Sequence, residues 1–186
     1  MEEILKLDRE LFSFLYGLGS EQYDGFWLII TKQIYWAPLI LAILYLIQRK
    51  MGWKNLGIIV VFLALLITFT DQMTNVVKHS FQRLRPSNEA ELAPIMRNLI
   101  KRNSYSFFSG HASSSMASTV FIVSILRKYY KHTYLLFLFP LIFAYSRIYL
   151  GLHYPLDILV GYIFGIITGT IFYKLYIMFM DKYMKN

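Results

Sequence analysis

Residues 143–169 read FAYSRIYLGLHYPLDILVGYIFGIITG. Ser146, Arg147, His153, Pro155 and Asp157 are gathered in the first half of this stretch, and apolar residues dominate both flanks. Pro155 suits the first turn of a helix, where its missing N–H is not needed. The stretch therefore joins the end of one apolar helix to the start of another. A guanidinium, an imidazole and a carboxylate stand at the junction.

The chain on either side of this junction is built of similar apolar runs. Residues 26–47, 56–77, 113–130, 133–150 and 155–180 each approach or exceed the ~20 residues that cross a bilayer as a helix. With 56% hydrophobic and 18% aromatic residues and a mean hydropathy of +0.45, the composition is too apolar for an ordinary soluble protein of this size. These features predict an all-α integral membrane bundle: one domain, residues 1–186, with five transmembrane helices. In the third run Ser113, Ser114, Ser115, Ser118 and Thr119 dilute the apolar character. Hydroxyls that bond back to their own backbone suit a helix buried in the bundle.

Residues 1–20 differ. Ile4, Leu7, Leu11 and Leu15 recur at helical spacing, with Glu2, Glu3, Asp8 and Glu10 on other faces. The pattern predicts an interfacial amphipathic helix, with packing on the bundle as the alternative. Residues 86–107 form the longest polar interruption and connect the second and third spans. Loops of this length often cover functional sites. Gly161, Gly165 and Gly169 make two overlapping G-x-x-x-G units in the last span. These let helix backbones approach closely, within the monomer or across a weak homodimer. Trp27, Trp36 and Trp53 lie toward helix ends, as interfacial anchors do.

The net charge of +8 is dispersed, which argues against nucleic acid as a partner. Arg49, Lys50, Lys54, Arg127, Lys128, Lys131, Lys182 and Lys185 all fall on one side of a five-span topology. The positive-inside rule makes that side cytoplasmic, by a modest bias, since the loop on the opposite side also carries Arg83, Arg97, Lys101 and Arg102. The chain has no cysteine, so disulfide and thiol chemistry are excluded.

On the opposite side three clusters meet: Lys78 with Arg85-Pro86, Ser109-Gly110-His111, and Ser146-Arg147 with His153 and Asp157. Arg85 precedes a proline, which disfavours helix there and turns the residue inward. Ser109 and Gly110 open a helix whose free N–H groups suit an anion, with His111 beside them. His153 and Asp157 are four apart, so the carboxylate can accept from one imidazole nitrogen and leave the other lone pair free. The same spacing also suits an Asp cap beside an interfacial histidine. Together the clusters hold three cations, two imidazoles and a carboxylate, the inventory for breaking a phosphate ester without a metal. Asp71, one heptad before Lys78, reads as a structural carboxylate.

The combination resembles the type-2 phosphatidic acid phosphatase (PAP2) superfamily of membrane lipid phosphatases. Its motif K-x6-R-P is matched by Lys78, Arg85 and Pro86, and P-S-G-H by Ser109, Gly110 and His111, with Phe108 in place of the proline. S-R-x5-H-x3-D is matched in full by Ser146, Arg147, His153 and Asp157. The resemblance implies a two-step phosphoryl transfer. His153 attacks phosphorus, Asp157 orients it, and His111 handles the leaving-group proton. Lys78, Arg85, Ser109, Gly110 and Arg147 hold the phosphate, with no cofactor and no metal. The implied substrate is a lipid phosphate in a bacterial inner membrane, with the site facing the periplasm. Undecaprenyl diphosphate comes first, with lipid A phosphate and phosphatidylglycerophosphate as alternatives. A lipid phosphotransferase and a non-catalytic phospholipid-binding protein are the other classes.

Overall fold

The structure, a computed structural model, describes residues 2–184, and their regular elements are all helical. The α-helices are α1 Glu2–Gly17, α2 Asp24–Ile30, α3 Ala37–Phe81, α4 Gly110–Leu126, α5 Leu138–Tyr149 and α6 Pro155–Tyr183. Lys185, counted above among the cytoplasmic cations, lies outside the described residues.

As one straight rod, the 45 residues of α3 would run about 68 Å, more than twice the ~30 Å of bilayer hydrocarbon. Gly52 divides it. Its φ of 79° and ψ of 171° fall in a region essentially reserved for glycine, and the chain is redirected there. Ile40 and Ile43 from the first arm and Leu63 and Ile67 from the second line the same groove. The arms therefore lie side by side as the first two spans, with Trp53 exposed at the corner.

The first expected run, 26–47, is not one helix. α2 ends at Ile30, Lys32 is extended (ψ 121°), and a 3-10 turn Gln33–Trp36 precedes Ala37. The apolar residues before the break cover the end of α5 instead. Trp27 stacks on Tyr149 with ring centroids 5.2 Å apart and meets the edge of Tyr145 at 5.1 Å. Thus Trp27 is a packing residue rather than an anchor. The expected run 133–150 also divides, into a 3-10 segment Thr133–Phe137 and α5. With ~2.0 Å of rise per residue in the tighter segment and ~1.5 Å in the α-helix, the two together run about 28 Å, close to the ~30 Å of hydrocarbon.

α4 is the central, mostly buried helix, in keeping with its hydroxyl content. Its close partner is α6. A Cβ built on Gly161, Gly165 or Gly169 would lie 2.8, 2.6 or 2.5 Å from the carbonyl oxygens of Ser109, Ser113 and Ala117. The glycine stripe is thus used within the chain, where two backbones need the room.

Two apolar clusters stack along the bundle. Ile47, Ile59, Leu66, Phe121, Leu126 and Tyr176 form one. Phe12, Tyr16, Leu92, Ala144, Tyr154 and Ile158 form the other, toward the polar end. α1 joins this second cluster through Asp8, Phe12 and Tyr16, which are buried, while Ile4, Leu7 and Leu11 are exposed. One face is left for lipid and the other docks on the bundle. The 86–107 loop is pinned to α1: the Arg97 N–H donates to Tyr16 Oη at 2.7 Å, and Arg9 pairs with Glu89 and Glu91 at 3.3 Å each.

Candidate active site

Helix ends bring the three clusters together. Lys78 stands in the last turn of α3, which stops at Gln82 in a left-handed conformation (φ 49°, ψ 29°). Arg85 is extended (φ −79°, ψ 153°) before Pro86, as a residue preceding proline prefers. Ser109 caps α4, its Oγ accepting from the Ala112 N–H at 3.4 Å. The Ser109 N–H in turn donates to the Asp157 carbonyl at 3.0 Å, joining the starts of α4 and α6. At the end of α5 the Arg147 carbonyl accepts from the N–H groups of Leu152 (2.9 Å) and His153 (3.3 Å). That turn passes through Gly151 (φ 68°), where a Cβ would strike Met96 Cε.

His153 and Asp157 are both buried, with Nδ1 3.3 Å from Asp157 Oδ2. On the other side of the ring, Nε2 lies 3.2 Å from Nη1 of Arg85. A guanidinium can only donate. Nε2 is therefore the unprotonated nitrogen, and the proton sits on Nδ1, toward the carboxylate. Burial, followed by the charges of Arg85, Lys78 and Arg147, pushes the His153 imidazole well below its ordinary pKa of 6.5.

Arg85 is bound on three sides. Its Nε donates to the Ser104 carbonyl (2.7 Å), Nη2 to Ser104 Oγ (3.0 Å) and Nη1 to the Leu152 carbonyl (2.7 Å). Burial brings its pKa down to about 10, still well above neutrality. The guanidinium thus presents an edge to His153 rather than an open fork. Arg147 is 4% exposed, with Nη2 3.3 Å from the Thr31 carbonyl and Nε facing no acceptor among the described residues. Lys78 feels the charges of Arg85, Asp157, Asp71 and Arg147. His111 packs its ring 5.4 Å from that of Phe143 and lies in the fields of Arg147, His153 and Lys78. A Cβ on Gly110 would lie 3.3 Å from Thr74 Cγ2, so this residue lets α4 start close against α3. The eight residues expected to react with or hold the phosphate stand at one end of the bundle. Asp71 is exposed and accepts from Asn75 Nδ2 at 3.3 Å. Phe108 is buried against Phe164 at 5.1 Å, filling space beside α6.

The sequence reading missed Arg83 and Asp8. Arg83 Nη1 donates to Asp157 Oδ1 at 2.8 Å and Nη2 to Asp8 Oδ2 at 2.7 Å. Arg83 had looked like one more loop cation, and Asp8 like part of the solvent face of α1. The signal was present in the spacing: Asp8 shares its face with Phe12 and Tyr16, one and two turns on. Among the described residues no group of three or more His, Cys, Asp or Glu is placed to hold a metal ion.

Residues 56–181 match the sequence profile of the PAP2 superfamily. The chain belongs to this superfamily. Among PAP2 proteins it is similar to the lipid A 4'-phosphatase of Bacteroides thetaiotaomicron, at 35% identity over 178 residues covering 93% of this chain and 78% of the relative. It is also similar to the undecaprenyl-diphosphatase of Sulfolobus acidocaldarius, at 27% over 172 residues covering 88% and 76%. In fold it is similar to the transmembrane PAP2-type phosphatidylglycerolphosphate phosphatase from Bacillus subtilis. The TM-score is 0.70 at 20% identity, covering 98% of this chain and 89% of that one. As a PAP2 protein the chain is a membrane phosphoric ester hydrolase that acts on lipid phosphates.

Proposed function

We propose that this enzyme removes a phosphate monoester from an acylated glycolipid of the lipid A type, through a phosphohistidine. The observation that carries the mechanism is the setting of His153, with Nε2 3.2 Å from Arg85 Nη1 and Nδ1 3.3 Å from Asp157 Oδ2, which assigns the lone pair to Nε2. Nε2 forms the bond to phosphorus as the bond to the lipid oxygen breaks, and His111 gives that oxygen a proton. Water then attacks phosphorus, His111 takes its proton, and inorganic phosphate leaves with His153 restored. Lys78, Arg85 and Arg147, with the Ser109 hydroxyl and the Gly110 N–H, offset charge on the phosphoryl oxygens. The buried Arg147 Nε, which has no acceptor among the described residues, suits a phosphoryl oxygen. These cations take the role that a divalent ion fills elsewhere, so no metal or cofactor enters the reaction.

A lipid tail has a place to go. An apolar groove of about 310 Å³, lined by Trp36, Ile40, Ile67, Ser114, Ser118 and Phe143, begins one turn below His111. The higher identity to a lipid A 4'-phosphatase than to an undecaprenyl-diphosphatase favours the glycolipid over undecaprenyl diphosphate, a choice that the motifs alone leave open. The dispersed cations at the Gly52 corner and in the α4–α5 connection favour a cytoplasmic location for that end. The site then faces the periplasm of a bacterial inner membrane. With the glycine stripe occupied by α4, a monomer suffices.

The test is phosphate release in mixed micelles from lipid A, undecaprenyl diphosphate, phosphatidylglycerophosphate and a soluble ester, with product masses recorded. Preferred loss of the 4'-phosphate from lipid A supports the reading. Faster release from undecaprenyl diphosphate would replace it, and dominant transfer to an added alcohol would make the enzyme a phosphotransferase.

A further inference from the structure

Asp157 is fully buried, and both of its carboxylate oxygens are engaged. Oδ2 faces His153 Nδ1 at 3.3 Å and accepts from the Tyr154 N–H at 3.0 Å, while Oδ1 accepts from Arg83 at 2.8 Å. Arg83 is itself held from four directions. Its guanidinium lies 3.9 Å over the Tyr154 ring. Its Nη2 donates to Asp8 at 2.7 Å, and its carbonyl accepts from the Ser106 N–H at 2.8 Å. Asp8 is buried in turn, and its other oxygen accepts from the Leu156 N–H at 2.8 Å, in the first turn of α6. An unbroken chain of charge-assisted bonds thus runs from α1 through Arg83 to the carboxylate behind His153.

We propose that Arg83 and Asp8 are positioning residues for the reaction, holding Asp157 ionised and oriented toward His153 Nδ1, so that α1 completes the site. The inference rests on the role of His153 proposed above. The physical case is one of charge and geometry. Without Arg83, Asp8 and Asp157 would be two buried carboxylates with no cation between them, and one would take up a proton. A protonated Asp157 cannot balance the imidazolium-like charge on a phosphorylated His153. Arginine alone suits the place, because its two Nη groups each donate to a different carboxylate while its plane stacks on an aromatic ring. Besides Arg83 and His153, Asp157 faces the charges of Asp8 from α1, Lys78 from α3 and Arg85 from the following loop, and the Ser106 hydroxyl.

The experiment compares the purified full chain with Arg83→Gln, Arg83→Lys, Asp8→Asn and, as a control, Arg9→Ala, which removes only the ion pairs of α1 with Glu89 and Glu91. Phosphate release, pH profile and thermal unfolding are measured for each. Loss of orientation in Arg83→Gln should lower kcat by about tenfold or more. KM should stay near the wild-type value, and the acid limb of the kcat profile should move to higher pH. Arg83→Lys should restore the acid limb but not the full kcat. Asp8→Asn removes a like charge beside Asp157, so the limb should move the opposite way, to lower pH, while kcat falls because Arg83 is held less firmly. Arg9→Ala should leave the profile unchanged. An Arg83→Gln enzyme with wild-type kcat and acid limb overturns the inference. So does a loss of activity that merely follows the folded fraction. If Arg83→Gln does not fold, Asp8→Asn decides, and an unmoved acid limb there is fatal. A wild-type chain that releases no phosphate from any lipid sinks the proposed function and this inference together. An active wild type with unaffected variants sinks this inference alone.

Discussion

His153 Nε2 lies 3.2 Å from Nη1 of Arg85, a group that can only donate. The lone pair of the imidazole is thereby assigned to the nitrogen that faces the cations. His153→Ala should abolish phosphate release and the initial burst of phosphoenzyme, while substrate still binds. Turnover at the wild-type rate would remove His153 as the nucleophile.

His111 is assigned the leaving-group proton. His111→Ala should therefore slow hydrolysis of a lipid phosphate by about 10²–10⁴-fold, and much less for a nitrophenyl ester, whose leaving group needs no proton. Equal losses on both substrates would point instead to a phosphate-holding role.

The low pKa of His153, set first by burial and then by Arg85, Lys78 and Arg147, has a definite direction. In the folded enzyme the ring stays neutral as pH falls through 6.5, whereas the unfolded chain gains the proton there. The unfolded state thus binds more protons between the folded pKa and about 6.5, and folding stability decreases as pH drops through that window. The check is ¹⁵N-histidine NMR with His153→Gln for assignment. Neutral-form signals should persist well below pH 6.5, and a midpoint near 6.5 contradicts the prediction.

Arg85→Lys keeps a charge but loses donors to Ser104 and Leu152, both of which Arg85 reaches directly. Stability should fall by about 1–3 kcal/mol and kcat should fall with it. Thermal unfolding alongside kinetics tests this, and unchanged values in both would show that the fork does not matter.

Gly165→Ala places a methyl group 2.6 Å from the Ser113 carbonyl and 2.9 Å from Met116 Cβ. Forcing α4 and α6 apart should cost about 1–3 kcal/mol and move Ser109 away from Asp157. A variant that melts at the wild-type temperature would show that the helices part easily here.

Vanadate should inhibit in competition with substrate by occupying the same cations, and EDTA should leave the rate unchanged. Loss of activity with EDTA, restored by a divalent ion, would overturn the metal-free reaction.

Much of this protein was readable from local pattern. The lengths of the apolar runs imply spans because hydrocarbon thickness sets how many helical residues are needed. The spacings Lys78–Arg85, Ser109–His111 and Arg147–His153–Asp157 carry the reaction type because each sits within one short stretch, at a helix end or at the junction of two helices. The hydroxyl-rich third run pointed to a buried helix, and α4 is one. What local pattern left open was decided by partners far away in the chain. The apolar residues of α2 could as well have extended the first span, and only the rings of Tyr145 and Tyr149 show why they do not. The choice between imidazole nitrogens at His153 came from Arg85, sixty-eight positions earlier. Asp8 read as a surface acid until Arg83 and the start of α6 closed around it. Composition and periodicity report which residues avoid water. Which buried charge finds which partner depends on the packed helices and is fixed only in three dimensions.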